Sequence, residues 1–260
     1  MTDDAHRLRW PDAGSLGAVY SSSFSLFKAR FGTIFALMGG ASALILGLQF
    51  ASFVAARATS ESDALANSLA YIMPIILYVV IGSLASGAIA AIIGAHLAGA
   101  DNVSIGTGLR AVRAVLKDAL AASLLAALVC LLLTFILFFT TLLFLPFFYG
   151  PILVMQAIVI QKVPFNQAVA RARALARGST GRMIGYAFVI SLSAWVIPVA
   201  ILGTLDRLDP PGFPWAYAPI QVLVEGGAAA FVAVTAAVMY FDLRMRKEDY
   251  GTKELRAELT

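Results

Sequence analysis

Residues 119–160 read ALAASLLAALVCLLLTFILFFTTLLFLPFFYGPILVMQAIVI, and this segment indicates the class of protein. Its 42 residues include no Asp, Glu, Lys, Arg or His. The hydrocarbon core of a bilayer is about 30 Å thick and a helix rises about 1.5 Å per residue, so one span needs about 20 apolar residues. Because the stretch is twice that length, it predicts two consecutive membrane-spanning helices.

The rest of the chain has the same apolar character. Of its 260 residues, 60% are hydrophobic and 13% are charged, and the mean hydropathy is +0.85. Soluble domains carry about 25% charged residues and about 45–50% apolar ones. This composition leaves too little polar surface to cover a water-soluble protein of this size. It excludes a soluble enzyme, a disordered chain and a collagen-like fibre.

Apolar windows of span length predict an all-α polytopic membrane protein, with residues 1–260 forming a single integral membrane domain. The six predicted transmembrane helices are 31–54, 71–96, 119–140, 142–163, 183–202 and 218–241, and the short tails are 1–14 and 242–260. We place the turn between the third and fourth spans at Thr140–Pro146, with a kink at Gly150 and Pro151. A turn at Pro151 itself would leave the fourth span too short.

The Lys and Arg residues predict the orientation. Seventeen of the 19 fall on one side of the predicted spans, and the other side has Arg57 and Arg207. Because Lys and Arg are retained on the cytoplasmic side, both termini are expected to be cytoplasmic. The net charge of +4 then faces anionic lipid headgroups, so no nucleic-acid partner is expected. We find no cleavable signal peptide and expect the first span to act as an uncleaved anchor.

Three short segments precede the first, third and fifth predicted spans, beginning at Ser15, Ser104 and Pro164. Each has apolar residues at helical spacing and basic residues toward its end. This pattern predicts short amphipathic helices that lie in the cytoplasmic membrane interface. The alternative is that each segment simply extends the following span into the cytoplasm.

The end of the last span, Val238–Glu248, reads VMYFDLRMRKE: an aromatic pair, then Asp-Leu-Arg, an apolar residue and Arg-Lys-Glu. Together with residues 165–182 and 15–35, it resembles the glycerophosphoryl diester phosphodiesterase membrane domain family of six-span bacterial proteins. Ala172 stands where that family has a serine. The resemblance implies a multi-pass protein of the bacterial cytoplasmic (inner) membrane.

In some members of this family the membrane region is joined to a soluble phosphodiesterase domain. Such a barrel takes about 250 residues and needs histidines and carboxylates around a metal. The chain has no room for it, and its two histidines, His6 and His96, lie far apart in the sequence. We therefore expect no enzyme activity and name no catalytic residue. Those histidines and the single Cys130 are too few for a structural zinc site, so no metal or cofactor is expected.

Glu225 is the only acid well inside a predicted span. An ionised carboxylate at that depth costs a few kcal/mol, so it normally faces a partner or a water-filled cavity. It is either a coupling site for a proton or cation, or a protonated or hydrogen-bonded side chain against the small residues of 226–230. Gln49 and Gln156 are expected to form hydrogen bonds between helices.

A second candidate cluster lies at the predicted inner end of the last span, at Asp242, Arg244 and Arg246. Asp242 can pair with Arg177 or Arg182 from the preceding connection, which would hold the last helix in place. Alternatively, the arginine forks of this cluster bind lipid phosphate.

Two classes of function follow from these residues. The first is a non-enzymatic membrane module that binds anionic lipid headgroups, a membrane-protein partner or a second copy of itself. The second is a small secondary transporter that uses Glu225, which the internal repetition and the Pro-interrupted helices favour.

Overall fold

The computed structural model describes residues 16–58, 64–100, 102–136, 153–208, 214–248 and 252–259, and every regular element in these ranges is helical. The prediction of an all-α fold is confirmed. The elements in chain order are α1 (Leu16–Ala29), α2 (Phe31–Ala58), α3 (Ala64–Leu97), α4 (Ile105–Ala114), α5 (Leu116–Ile136), α6 (153–161), α7 (Phe165–Ala176), α8 (Thr180–Ser191), a π-helical segment (Leu192–Val196), α9 (Ile197–Leu208), α10 (Pro214–Glu248) and α11 (Thr252–Leu259).

Among the described residues, four helical stretches are long and apolar enough to cross a membrane: Phe31–Ser52, Ile76–Leu97, Gly181–Thr204 and Ala218–Glu248. They match the first, second, fifth and sixth predicted spans. Helix α5 overlaps the predicted third span, and α6 lies within the predicted fourth span. The turn placed at Thr140–Pro146 and the kink at Gly150 and Pro151 fall outside the described residues. The count of six therefore stays a prediction.

The last helix runs beyond the predicted membrane span 218–241. Helix α10 continues past residue 241 to Glu248, and residues 252–259 form α11, so the segment 242–260 is largely helical. Two ion pairs at i, i+4 spacing, Asp242–Arg246 and Arg244–Glu248, span the added turns. Such pairs favour helix in a polar stretch that hydropathy alone assigns to a tail.

Helices form at all three positions predicted to be amphipathic, as α1, α4 and α7. At the start of α4 the Ser104 N–H donates to Thr107 Oγ1 at 3.4 Å. Helix α4 buries Gly108 and Val112, and α7 buries one face made of Ala168, Ala172 and Leu175.

The core lies between α6 and the second halves of α3 and α10, where most side chains are buried. Helix α4 packs so closely on α3 that a Cβ at Gly108 would lie 2.6 Å from the Ala88 carbonyl oxygen. Helices α2 and α10 meet at Gly226, where a Cβ would lie 3.0 Å from Gly39 Cα. Large apolar side chains cover the outside of the long helices, including Phe50 at 69% exposure, as expected where lipid is the solvent.

Candidate functional site

Most of the charged side chains that the structure describes gather where the starts of α2, α5 and α8 meet the ends of α3, α6 and α10, which we call the basic end. Arg30, just before α2, donates from Nη2 to His96 Nδ1 on α3 at 3.0 Å. The Phe165 N–H at the start of α7 donates to Asp118 Oδ1 on α5 at 2.9 Å. Because the His96 ring accepts at Nδ1, its proton is on Nε2, and this histidine serves as a helix-end contact.

Asp242 is the centre of the first cluster at the basic end, and its side chain is 2% exposed. Its Oδ2 accepts hydrogen bonds from Tyr186 Oη at 2.7 Å and from Arg182 Nη1 at 3.0 Å. Its Oδ1 accepts from Arg246 Nε at 3.0 Å. We call these four residues the Asp242 cluster. It joins α8 to α10 and leaves neither carboxylate oxygen without a donor.

The charges of the Asp242 cluster are partly open to water. The Arg182 and Arg246 side chains are 21% and 36% exposed, whereas Tyr186 is buried. A buried carboxylate is tolerated when donors surround it, and here two cations also compensate its charge. Of the two interpretations of Asp242, this geometry favours an ion pair that holds the last helix in place over a site for lipid phosphate.

The sequence offered Arg182 and Arg177 as partners of Asp242, and the structure brings Arg182 to it. Arg182 lies in the first turn of α8, on the same face as Tyr186 four residues later. Arg177 follows the end of α7, where its side chain is exposed and its carbonyl oxygen accepts from Lys247 Nζ. Lys247 Nζ also donates to the Ala174 carbonyl at 2.9 Å, which ties α7 to α10.

Arg244 is the centre of a second cluster, and its side chain is 3% exposed. Its two terminal nitrogens bind Glu258 of α11 in bidentate fashion, at 2.7 and 2.8 Å. Its Nε donates to Glu248 at 3.0 Å, and Arg171 of α7 binds the same Glu248 oxygen at 2.8 Å. Two arginines and two glutamates thus alternate in what we call the Arg244 cluster.

Polar groups and a cavity adjoin the Arg244 cluster. The Gln161 amide is oriented so that its oxygen faces the donors of Arg244 and Tyr240. This oxygen lies 3.1–3.3 Å from the Arg244 guanidinium nitrogens and 3.2 Å from Tyr240 Oη. Beside it is a cavity of about 360 Å³, lined by Gln161, Val163, Gln167, Arg171 and Glu258.

The residues predicted as one headgroup site therefore divide into two clusters. Arg244 is buried and bound to carboxylates. Its guanidinium is therefore not exposed for binding lipid phosphate, which was one of the two alternatives predicted from the sequence. Tyr186, Glu248 and Glu258 were not predicted as site residues from the sequence. The i, i+4 spacing of Arg182 with Tyr186 and of Arg244 with Glu248 could have indicated two of them. Glu258 had no local signal, because its contact depends on how α11 folds back.

Exposed cations surround both clusters. Among the described residues the exposed basic side chains are Lys28, Arg110, Arg113, Lys117, Lys162, Arg173, Arg177, Arg246, Lys247 and Lys253. Of the acids described at the same end, Glu254 is exposed. The others are buried or half-buried and bonded within the protein, and they are Asp118, Asp242, Glu248 and Glu258. The surface at the basic end is therefore positive.

Exposed apolar side chains accompany some of these cations. Along α1, Tyr20 and Phe24 are 43% and 55% exposed, and Lys28 follows at the same four-residue spacing. On α4, Leu109 is 52% exposed next to Arg110 and four residues before Arg113. Apolar and basic side chains side by side are typical of helices that lie in a membrane interface.

Glu225 lies apart from the basic end, on α10. Its side chain is half-buried, and its Oε1 accepts from Gln221 Nε2, one turn earlier, at 3.0 Å. Gln156 on α6 makes the expected bond between helices, donating to Ser86 Oγ on α3 at 3.3 Å. Gln49 instead has an exposed side chain on α2.

No protein-family model, curated protein or solved structure matches this chain. The resemblance to the phosphodiesterase membrane-domain family accordingly stays a prediction. Within the described ranges, no group of three His, Cys, Asp or Glu side chains is placed to hold a metal ion.

Proposed function

We propose that this protein is a non-enzymatic membrane module whose basic end binds anionic lipid headgroups. The observation that carries the proposal is the imbalance of exposed charge. At the basic end of the described part of the chain, ten basic side chains are exposed, whereas the acids are mostly bonded within the protein. A basic residue near an anionic membrane surface contributes about 1 kcal/mol. Several such residues on one surface would favour anionic over zwitterionic lipid strongly.

The proposal includes six spans, both termini in the cytoplasm, and residence in a bacterial inner membrane. Retention of Lys and Arg on the cytoplasmic side supports this orientation, because the cations come together at one end of the bundle. In this arrangement α1, α4 and α7 lie in the interface. There Phe24 and Leu109 reach toward the acyl chains while nearby cations meet the phosphates.

The experiment replaces three exposed cations in the variant Arg110→Gln/Arg113→Gln/Lys117→Gln. Wild type and variant are reconstituted in nanodiscs with equal amounts of phosphatidylglycerol and phosphatidylcholine, and the retained lipids are counted by native mass spectrometry. At about 1 kcal/mol per cation, the ratio of retained phosphatidylglycerol to phosphatidylcholine should fall tenfold or more.

The matched control is Arg57→Gln/Arg207→Gln, which removes the cations assigned to the opposite side of the membrane. This control should leave the lipid ratio at the wild-type value. An unchanged ratio in the three-cation variant would refute the proposal. Retention of a protein instead of lipid would favour the other expected occupants, a membrane-protein partner or a second copy of the chain.

A small transporter is the second candidate, and the half-buried Glu225 carboxylate favours it. The π-helical segment Leu192–Val196 packs against α10, and such segments are frequent at functional sites. Proteoliposomes loaded with a pH-sensitive dye and driven by a potassium gradient test it. Proton uptake by wild type that Glu225→Gln abolishes would support transport. Equal uptake by both and by empty liposomes would count against it.

A further inference from the structure

The C-terminal helix α11 contacts the bundle through side chains that include Leu255 and Glu258. It has eight residues, too few for an isolated helix to be stable in water. Leu255 is buried at 3% exposure, and Glu258 binds the buried Arg244 through both carboxylate oxygens. The docked position of α11 therefore depends on its contacts with the bundle, which include this apolar side chain and this carboxylate–guanidinium pair.

We propose that Arg244, Arg171 and Gln161 form a phosphate-binding site that α11 keeps closed, with the Glu258 carboxylate in the place of the ligand. A guanidinium binds a carboxylate and a phosphate with the same two parallel hydrogen bonds. The group that α11 presents to Arg244 is thus a chemical stand-in for a phosphate oxyanion.

The cavity beside Glu258 provides room for such a ligand. Its volume of about 360 Å³ is within the range of small-molecule sites and far above the roughly 30 Å³ that one water occupies in the liquid. Two amides, Gln161 and Gln167, and the cation Arg171 line it. These side chains supply donors for the phosphate oxygens that Arg244 does not reach.

The charges of the Arg244 cluster allow one anionic ligand to replace another without leaving Arg244 uncompensated. With Glu258 docked, the two arginines are matched by two glutamates. Withdrawing Glu258 alone would leave the buried Arg244 without its bidentate partner, which is costly. A phosphate that enters as Glu258 leaves restores the charge, so ligand binding and release of α11 are coupled.

The ligand is either a lipid phosphate or free phosphate, and only the lipid source rests on the proposed function. Full-length wild type, Glu258→Gln and the control Glu254→Gln, an exposed acid of the same helix, are purified in a neutral detergent. Each is titrated separately with inorganic phosphate and with dihexanoyl phosphatidylglycerol. Affinity is measured by calorimetry, and hydrogen exchange reports on the amides of 252–259.

Glu258→Gln should bind one of the two probes at least tenfold more tightly than wild type, because the competing carboxylate is gone. Glu254→Gln should match wild type. In wild type the same probe should accelerate exchange at 252–259. Adding Arg171→Gln to Glu258→Gln should remove the gain in affinity, which separates a lost site from a loosened fold.

A response to inorganic phosphate supports a soluble source, and a response to the lipid alone supports a headgroup. No gain with either probe, or an equal gain in Glu254→Gln, would overturn the inference. If the three-cation variant leaves the lipid ratio unchanged while Glu258→Gln gains affinity for inorganic phosphate, the surface proposal fails and this site stands.

Discussion

Replacing Asp242 with Asn should destabilise the bundle by about 2–3 kcal/mol, because this carboxylate holds α8 to α10. In wild type its two oxygens accept from Tyr186, Arg182 and Arg246 at 2.7, 3.0 and 3.0 Å. The Asn side chain keeps the size of Asp and one acceptor oxygen, but it loses the charge and turns an amide nitrogen toward a donor.

The expected loss of stability in Asp242→Asn is the sum of the contributions of these hydrogen bonds. A charge-assisted hydrogen bond is about twice as strong as a neutral one, so each of the two bonds at Oδ2 loses roughly 1 kcal/mol. The Arg246 pair has i, i+4 spacing and its arginine is 36% exposed, so its loss adds only about 0.5 kcal/mol. The Arg246 guanidinium can turn to water, whereas Tyr186 is buried and cannot.

The free energy of unfolding is measured in mixed micelles by titration with sodium dodecyl sulfate. Tyr186→Phe, which removes one buried hydrogen bond, should cost about 1–2 kcal/mol, and Arg246→Ala about 0.5 kcal/mol. Arg182→Gln combined with Asp242→Asn should cost clearly less than the two changes summed. Two results would contradict this role of Asp242. The first is a free energy of unfolding for Asp242→Asn within about 0.5 kcal/mol of the wild-type value. The second is a loss of stability in Arg246→Ala as large as that in Asp242→Asn.

Two further stability predictions concern the contacts that place the short helices. Gly108→Ala should destabilise by about 1–3 kcal/mol in the same assay, since its Cβ would lie 2.6 Å from the Ala88 carbonyl oxygen. Gly106→Ala, whose Cβ would lie 3.5 Å from a serine hydroxyl, is its control and should cost well under 1 kcal/mol. Asp118→Ala should cost about 1–2 kcal/mol and raise hydrogen exchange at the Phe165 amide, whose acceptor it removes. Unchanged exchange at that amide would contradict the assignment.

Much of the helical architecture could be predicted without coordinates. The all-α fold, the positions of α1, α4 and α7, and four of the long apolar helices follow from hydropathy and periodicity. Helix α10 is longer than the membrane span 218–241 that hydropathy predicts. Helix α10 extends to Glu248 because ion pairs along its own surface replace the apolar signal that a hydropathy window detects.

The candidate site was predicted only in outline. Asp242, Arg244 and Arg246 were identified as a group, but the division into two clusters depends on which face of α10 each residue occupies. Arg182 and Asp242 are 60 residues apart in the sequence. The end of α7 and the start of α8 decide whether Arg182 or Arg177 reaches Asp242. The residues next to each arginine in the chain do not indicate which of the two binds the carboxylate.

The sequence alone was enough to predict apolar helices of membrane-spanning length and a concentration of cations at one end of them. Both follow from the solvation free energy of single side chains, which can be summed along a segment without knowing its neighbours. Tertiary structure alone decided that Glu258 binds Arg244 and that Tyr186 donates to Asp242. Those contacts depend on the rotation and packing of helices distant in sequence, because a hydrogen bond forms only when two particular atoms come within about 3 Å.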